Sequence, residues 1–407
     1  MRGISYRISE KIFGKSGASY SYNILYISVS IIAISVVIMV LSVYILNGFK
    51  NTIKDKIIGF TGDLQISELS LTPISEESHL ALDSVTLEKI RQHPGVTKVS
   101  NMTYKSFVMK NDDMLNGTMF YGMDSTSNID FFKHLTVEGH FPEYTTTVAN
   151  DTIVVSKHIA DKLLLHVDDK VYAYFLQDNS TRARRFVVGA IYNSEFIDYD
   201  KIYVLGDARQ LSAINNWGKN EVNGYRIFLK SAAYTDEVVR YCNDLLDYDV
   251  EVKTFATINP IVFGWLDMQD TNVVILIVLM SVVCILAIIS IMIIIVLEKT
   301  STIGILKTLG MNNGGLFKIF LIRAIKITLY GIIIGNIVAL TFSYAEEAFH
   351  ILKLSPESYY MDYVPVDIDY FNLIKIDVLV LMMSVFAMIL PSVFIAKTNP
   401  IKTISME

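Results

Sequence analysis

Hydrophobic residues fall along this chain in two rhythms. In four stretches they run almost without interruption, at residues 24–46, 273–297, 316–343 and 378–396. About 20 apolar residues at 1.5 Å rise cross the hydrocarbon of a bilayer, so each stretch predicts a transmembrane helix. The third has its most apolar part at 327–342, preceded at the membrane edge by Lys318, Arg323 and Lys326; the fourth has Pro391 near its exit. Elsewhere the apolar residues come in short segments. These predict strands at 63–67, 96–109, 118–123, 170–176, 185–191, 225–229 and 251–255, with helices at 156–164, 207–214 and 236–246. In 170–176 both faces are apolar, which predicts a strand covered on both sides. The expected fold is an α-helical membrane protein with four transmembrane helices and a large α+β extracytoplasmic domain between helices 1 and 2.

Two segments join that domain to the spans. In 47–60, which opens with Asn47, the residues Phe49, Ile53 and Ile57 recur at i, i+4 and i+8, with Lys50, Lys54, Asp55 and Lys56 elsewhere on the circumference. That spacing predicts an amphipathic helix continuing the first span. Residues 258–270, with Phe263, Trp265, Leu266 and Met268, lead into the second. Two readings stand side by side: these residues pack together or form an interfacial belt, or they are stalks that transmit movement and line an apolar entrance.

Composition agrees with a membrane protein. At 52% hydrophobic and 19% charged residues, the chain lies outside the range of wholly soluble enzymes. Two cysteines exclude a disulfide-stapled scaffold or a cysteine-ligated zinc site, and a net charge of -6 argues against nucleic-acid binding. The first apolar run is longer than the core of a signal peptide and lacks a small-residue cleavage site after it. Basic residues concentrate in 1–23 (Arg2, Arg7, Lys11, Lys15), in the loop 298–315 with its flanks, and in the tail 397–407. By the positive-inside rule these three segments face the cytoplasm. The acidic bulk, 47–272 and the shorter loop 344–377, then lies outside.

Catalytic constellations are missing from the sequence. The seven histidines form no HExxH pair, and no GxSxG elbow occurs. Gly14-Lys15-Ser16 looks like the end of a phosphate loop, but Ser9 stands where its first glycine belongs and no strand precedes it. No metal site and no cofactor bound by this chain is expected. The spans show no mid-membrane charge, their middles holding Ser, Cys and Asn336, which is poor material for an ion pathway. Gly331 and Gly335 form a GxxxG that permits close helix approach, either within the chain or to a second subunit. In the loop 298–315, Ile303, Leu306 and Met311 predict one apolar face of a short helix that Gly310 stops. Such a face docks on the membrane, on the neighbouring spans, or on a partner.

Several stretches together resemble the LolC/LolE family of lipoprotein-releasing permeases, within the wider FtsX/MacB-type group of ABC-transporter membrane subunits. They are Ile27-Ser28-Val29-Ser30 through Asn47-Gly48-Phe49 to Gly59-Phe60, Arg185-Phe186-Val187-Val188-Gly189, and Asp198-Tyr199-Asp200. Glu298-Lys299 with Ile303 to Gly310 is the strongest, and Tyr359-Tyr360 followed by Val364-Pro365-Val366 completes the set. The resemblance implies a non-catalytic subunit in the bacterial inner membrane with a MacB-like periplasmic domain. It implies work as a homodimer or LolC/LolE-type heterodimer, over two copies of a LolD-like ATPase that binds ATP and Mg. The cargo implied is a lipoprotein, passed to a LolA-like periplasmic chaperone. The loop helix becomes the coupling helix, with Lys299, Thr302, Ile303, Leu306, Lys307, Leu309, Gly310 and Met311 as contact residues. Asn47, Phe49, Ile53, Ile57, Phe263, Leu266 and Met268 become the acyl-chain entrance. The chaperone-facing hairpin becomes Gln177, Asp178, Arg182 and Arg184, short and without the proline-containing hook of the chaperone-recruiting member. An FtsX-like regulator of a cell-wall hydrolase and a MacB-like exporter subunit share the same architecture.

Overall fold

A computed structural model describes residues 19–69, 79–144, 149–177, 180–218 and 221–397. The chain divides into two compact units: a helical one, comprising the described residues through Lys50, Leu266–Leu352 and those from Val364 onward, and a sheet unit of Asn51–Trp265 with Lys353–Tyr363. Among the described residues, four helices are long and apolar enough to cross a membrane.

The sheet unit is built on ten strands: β1 (Leu64–Glu68), β2 (Val96–Asn111), β3 (Met114–Met123), β4 (Thr136–Gly139), β5 (Thr152–Ser156), β6 (Lys170–Gln177), β7 (Ser180–Tyr192), β8 (Tyr203–Asp207), β9 (Gly224–Leu229) and β10 (Val250–Thr254). The long β2 serves two structures. Its first half pairs with β9, beyond which lie β1 and β10, all antiparallel. The helices Ser84–Arg91 and Thr235–Leu245 contribute Ile90, Val238 and Cys242 to the core of this layer. The second half of β2 pairs with both β3 and β6, and the circuit β2–β3–β8–β5–β7–β6 returns to β2. The circuit closes a six-stranded barrel, and closure removes exposed strand edges. Phe107, Met109, Phe120, Ile153, Val155, Phe175, Phe186 and Val204 form one buried cluster contributed by all six of these strands. A second cluster holds the alternate residues Val154, Ala190, Tyr192 and Leu205 with Phe60, Tyr121 and Phe132.

This geometry corrects one expectation and adds two strands. In β6 only Val171, Ala173 and Phe175 are buried, while Tyr172 and Leu176 are exposed. An outer barrel face accepts apolar rings, so apolar character on both faces did not mean cover on both faces. β5 and β8, which the pattern did not reveal, are covered on both faces; their short apolar runs, TIVVS and YVLGD, lie between the two clusters and show no alternation. Ser156 and Asp207 cap the following helices through hydrogen bonds to Ile159 N and Arg209 N, as short oxygen-bearing side chains do at N-caps.

The helical unit is built from α1 (Ser19–Thr61) and α2 (Pro260–Glu298), each of which also contributes to the sheet unit, and α3 (Thr300–Thr308), α4 (Asn313–Phe349), α5 (Tyr370–Ala387) and α6 (Ile389–Lys397). Its core contains Val29, Ile32, Val36, Met39 and Val40 of α1, spaced three and four apart, with Ile288, Ile291 and Met292 of α2 and Phe320, Ile327 and Val380. Gly331 and Gly335 sit against α1. A Cβ at Gly331 would fall 2.5 Å from Ile32 Cγ2, and one at Gly335 2.9 Å from Ala33 O. The GxxxG thus serves packing within the chain. The break between α5 and α6 at Met388 has its cause in Pro391, whose ring opposes the carbonyl four residues back, that of Ala387.

The helical unit also holds charge that the sequence pattern did not show. The last long helix starts at Tyr370, so Asp377 lies inside it, and Asn336 Nδ2 donates to Asp377 Oδ2 at 2.9 Å. Glu346 on α4 is fully buried and accepts from Leu352 N at 3.0 and 3.2 Å. Glu346 is bonded through both oxygens, the condition under which burial of such a group is tolerated, whereas Asp377 Oδ1 and Asn336 Oδ1 are buried without a partner.

Candidate functional site: the loop helix and the span exits

The segment between α2 and α4 folds as α3, ended by Gly310 at φ +90°. Gly310 N donates to Lys307 O and Met311 N to Leu306 O, each at 3.0 Å. This pair of bonds is the Schellman arrangement, which needs a left-handed residue at Gly310 and sets the side chains of Met311 and Leu306 together. Asn312 then caps α4 by accepting from Gly315 N at 2.8 Å.

The apolar face predicted from Ile303, Leu306 and Met311 is turned inward. Ile303 belongs to the core of the helical unit, and Leu306 and Met311 pack against it. The face available to another molecule is the opposite one: Ile305 and Leu309, at i and i+4, are 51% and 78% exposed. Gly310 is exposed, whereas Lys299, Thr302 and Lys307 are half-buried; Lys299 Nζ lies 3.4 Å from Glu298 Oε1. Ile305 was missed. Once Ile303 and Leu306 are assigned inward, helical spacing alone puts Ile305 and Leu309 outward.

The expected entrance divides in the same manner. Ile53 and Ile57 are fully buried, Leu266 is nearly so, and Asn47 and Phe49 are half-buried. Phe263 and Met268 are about half exposed, next to the exposed Ile261. The i, i+4, i+8 periodicity of 49–57 marked an apolar face without saying what covers it, and protein covers Ile53 and Ile57. In the helical unit, Lys50 Nζ of α1 lies 2.6 Å from Asp270 Oδ2 of α2.

Two separate sequence motifs meet here. A Cβ at Gly48 would lie 2.5 Å from Pro365 O and 2.9 Å from Val366 N, and Asp367 N donates to Tyr44 O at 3.1 Å. The glycine of Asn47-Gly48-Phe49 thus admits the backbone of Val364-Pro365-Val366. In the sheet unit, Tyr360 stacks on Phe196 at 4.6 Å and donates to Asp198 Oδ2 at 3.2 Å. Lys56 Nζ reaches both Glu195 Oε2 at 2.6 Å and Tyr360 O at 2.9 Å. Burial raises the pKa of Glu195, while Lys56 opposes the shift. Asp200 is buried, accepts from Ser194 Oγ at 2.6 Å, and is pushed up to about 6 by burial.

The hairpin β6–β7 pairs up to Gln177 and Ser180; Asp178 lies outside the described residues. Arg182 is engaged within the fold, its Nη1 donating to Ile214 O at 2.7 Å at the end of the helix Ala208–Asn215. A cation at a helix C-terminus satisfies free carbonyls, so Arg182 is committed to its own domain, and of the two expected arginines Arg184 is the exposed one. Among the described residues no group of three His, Cys, Asp or Glu side chains is placed to hold a metal ion.

The family model described as MacB-like periplasmic core domain matches residues 26–243, and that described as FtsX-like permease C-terminal matches residues 274–400. The lipoprotein-releasing system transmembrane protein LolC of Xylella fastidiosa (strain 9a5c) is 23% identical over 269 residues, or 63% of this chain. The match spans 65% of that relative's length, just under two thirds. LolC of Buchnera aphidicola subsp. Schizaphis graminum is 19% identical over 404 residues, 94% of both chains. Among solved structures, the periplasmic region of MacB from Actinobacillus actinomycetemcomitans aligns over 51% of this chain and 96% of its own, at 11% identity and a TM-score of 0.35.

Proposed function

Because this chain belongs to the MacB-like periplasmic core domain family, we propose that it is the membrane subunit of an ABC transporter that extracts lipoproteins from the inner membrane. A separate ATPase, in two copies, works beneath it, and a second permease subunit stands beside it. The sheet unit lies in the periplasm, where a chaperone receives the cargo. The observation that carries this reading is the outward pair Ile305 and Leu309 on a nine-residue helix whose other face is anchored in the four-helix core. An exposed apolar pair on a rigidly held loop helix suits a groove in a partner, and force applied there passes directly into α2 and α4. Acyl chains lose about 0.8 kcal/mol per CH₂ on leaving lipid, so extraction requires an energy source outside this chain. The outward side chains Phe263 and Met268 on α2 are the best-placed acyl contacts.

Ile305→Asp and Leu309→Asp are expected to abolish co-purification of the ATPase while leaving the unfolding temperature of the chain unchanged, since both side chains are exposed. Undiminished ATPase recovery from both variants overturns the coupling assignment. A second reading with the same architecture is a mechanical regulator that moves no cargo. A photocrosslinker at Met268 separates the two, because labelled lipoprotein supports extraction and its absence supports regulation.

A further inference from the structure

Asp377 is an ionisable side chain that the transport reading leaves unused. It stands two turns into α5, about 10 Å along the axis from Tyr370, inside the apolar stretch Tyr370–Val393. The helix positions one turn away on either side, Leu373, Ile374, Val380 and Leu381, are all apolar. On α4, Asn336 lies within the span Asn313–Phe349 and donates from Nδ2 to Asp377 Oδ2 at 2.9 Å. The second oxygen of each group, Asp377 Oδ1 and Asn336 Oδ1, is buried and has no hydrogen-bond partner. No ion pair involves Asp377 among the described residues.

The titratable groups on the packed helices offer no charge to balance a carboxylate there. On α1, Tyr44 is within electrostatic range of Asp377, and its buried Oη also lacks a partner. Tyr344 of α4 and Tyr370 of α5 bond each other through their hydroxyls at 2.5 Å. On α5 itself, Asp369 accepts from Phe371 N, and Lys375 Nζ is held over the Phe371 ring at 4.2 Å and bonded to Asn372 Oδ1. α6 carries a single such group, Lys397, as its last residue. Ionised, Asp377 sets a full negative charge against one neutral donor in apolar surroundings, a strongly unfavourable state. A proton on Oδ1 removes the charge and supplies a donor, and Asn336 Oδ1 is an unmet acceptor on the group already bonded to the same carboxyl. We propose that Asp377 holds a proton at neutral pH and pairs with Asn336 as carboxylic acid to amide, a proton-binding site between α4 and α5. The ligand is a proton, so the buried oxygens need no opening wide enough for a molecule. When it leaves Oδ1, a carboxylate with one donor remains between the two helices. Release of the proton and loosening of α5 from α4 are therefore linked, a role in keeping with ionisable side chains placed inside membrane helices.

The test is infrared difference spectroscopy on the full chain in detergent at pH 7, parent against Asp377→Asn. The parent is expected to show one additional carbonyl band of a protonated carboxylic acid, which shifts in heavy water. Asn336→Leu is expected to keep that band and move it to higher frequency, because the acid carbonyl loses its donor. If Asp377→Asn does not insert, the shift between the parent and Asn336→Leu decides the matter. At a pH high enough to remove the band, amide exchange in α5 is expected to be about tenfold faster in the parent than in Asp377→Asn, the worth of one hydrogen bond between buried groups. A parent without the additional acid band overturns the proposal by showing an ionised, hydrated Asp377. A band indifferent to Asn336→Leu overturns the pairing, and equal exchange at high pH overturns the linkage. Neither ATPase nor cargo enters the measurement, so its failure and that of the transport reading are separate outcomes.

Discussion

The helical unit and the sheet unit hide their interiors in different ways. On α2, Ile275, Val278, Leu279 and Val282 are more than half exposed, whereas Ile288, Ile291 and Met292 are buried, and nothing in residue type separates the two groups. On β6, the buried Val171, Ala173 and Phe175 alternate with the exposed Tyr172 and Leu176 and the half-buried Tyr174. A helix that is apolar all round suits a surrounding as apolar as its core, so polarity there cannot distinguish inside from outside. A closed barrel in water must sort its residues by face. In the helical unit no period in residue type marks the buried positions, whereas in β6 burial keeps the two-residue period of a strand although both of its faces are apolar.

The sharpest way to break that contrast is in the barrel. Phe175→Ala is expected to cost about 3–5 kcal/mol, and the adjacent Leu176→Ala less than about 0.5 kcal/mol, read as hydrogen-exchange protection of β6 and β7. Equal losses would mean that the barrel interior is not the packed core described here.

The dryness of the sheet unit is tested next, through Asp200. Its folded pKa of about 6 exceeds the ordinary 3.8, so the folded state binds the extra proton between those values. Stability from this group is complete below about pH 4 and is lost as pH rises through 6, by about 3 kcal/mol in all. Thermal unfolding of the full chain from pH 4 to pH 7 is expected to show this loss, and Asp200→Asn to remove that part of the slope. An identical slope in the variant would show that Asp200 is solvated.

The smallest effect belongs to shape in the helical unit. Gly335→Leu drives a side chain into Val36 and the Ala33 carbonyl and is expected to cost about 1–3 kcal/mol. Val278→Leu, which adds one methylene to an exposed position on α2, is expected to change stability by less than about 0.5 kcal/mol. Unfolding in detergent measures both, and parity between them would dissolve the distinction between covered and uncovered helix faces.

Much of this structure was legible beforehand where a local rule was sufficient. The strands with apolar alternation, the helices expected at 156–164 and 207–214, and the stop at Gly310 each depend on a few neighbouring residues. β5 and β8 escaped because burial on both faces erases alternation. For the candidate site, the loop helix was legible but its outward face was not. Ile303 and Ile305 are the same residue type two positions apart, and only packing against the core set one inside and one outside.

By itself the sequence determined which segments are helical and apolar, how charge is distributed between them, and which positions take a turn or a cap. These follow from hydration and local backbone sterics, which act over a few residues. Only the tertiary structure decided that β6 returns to β2, that Gly48 admits the Pro365 backbone, and that Asn336 meets Asp377. Each joins residues distant in the chain through close packing, and close packing depends on three-dimensional shape that no local pattern encodes.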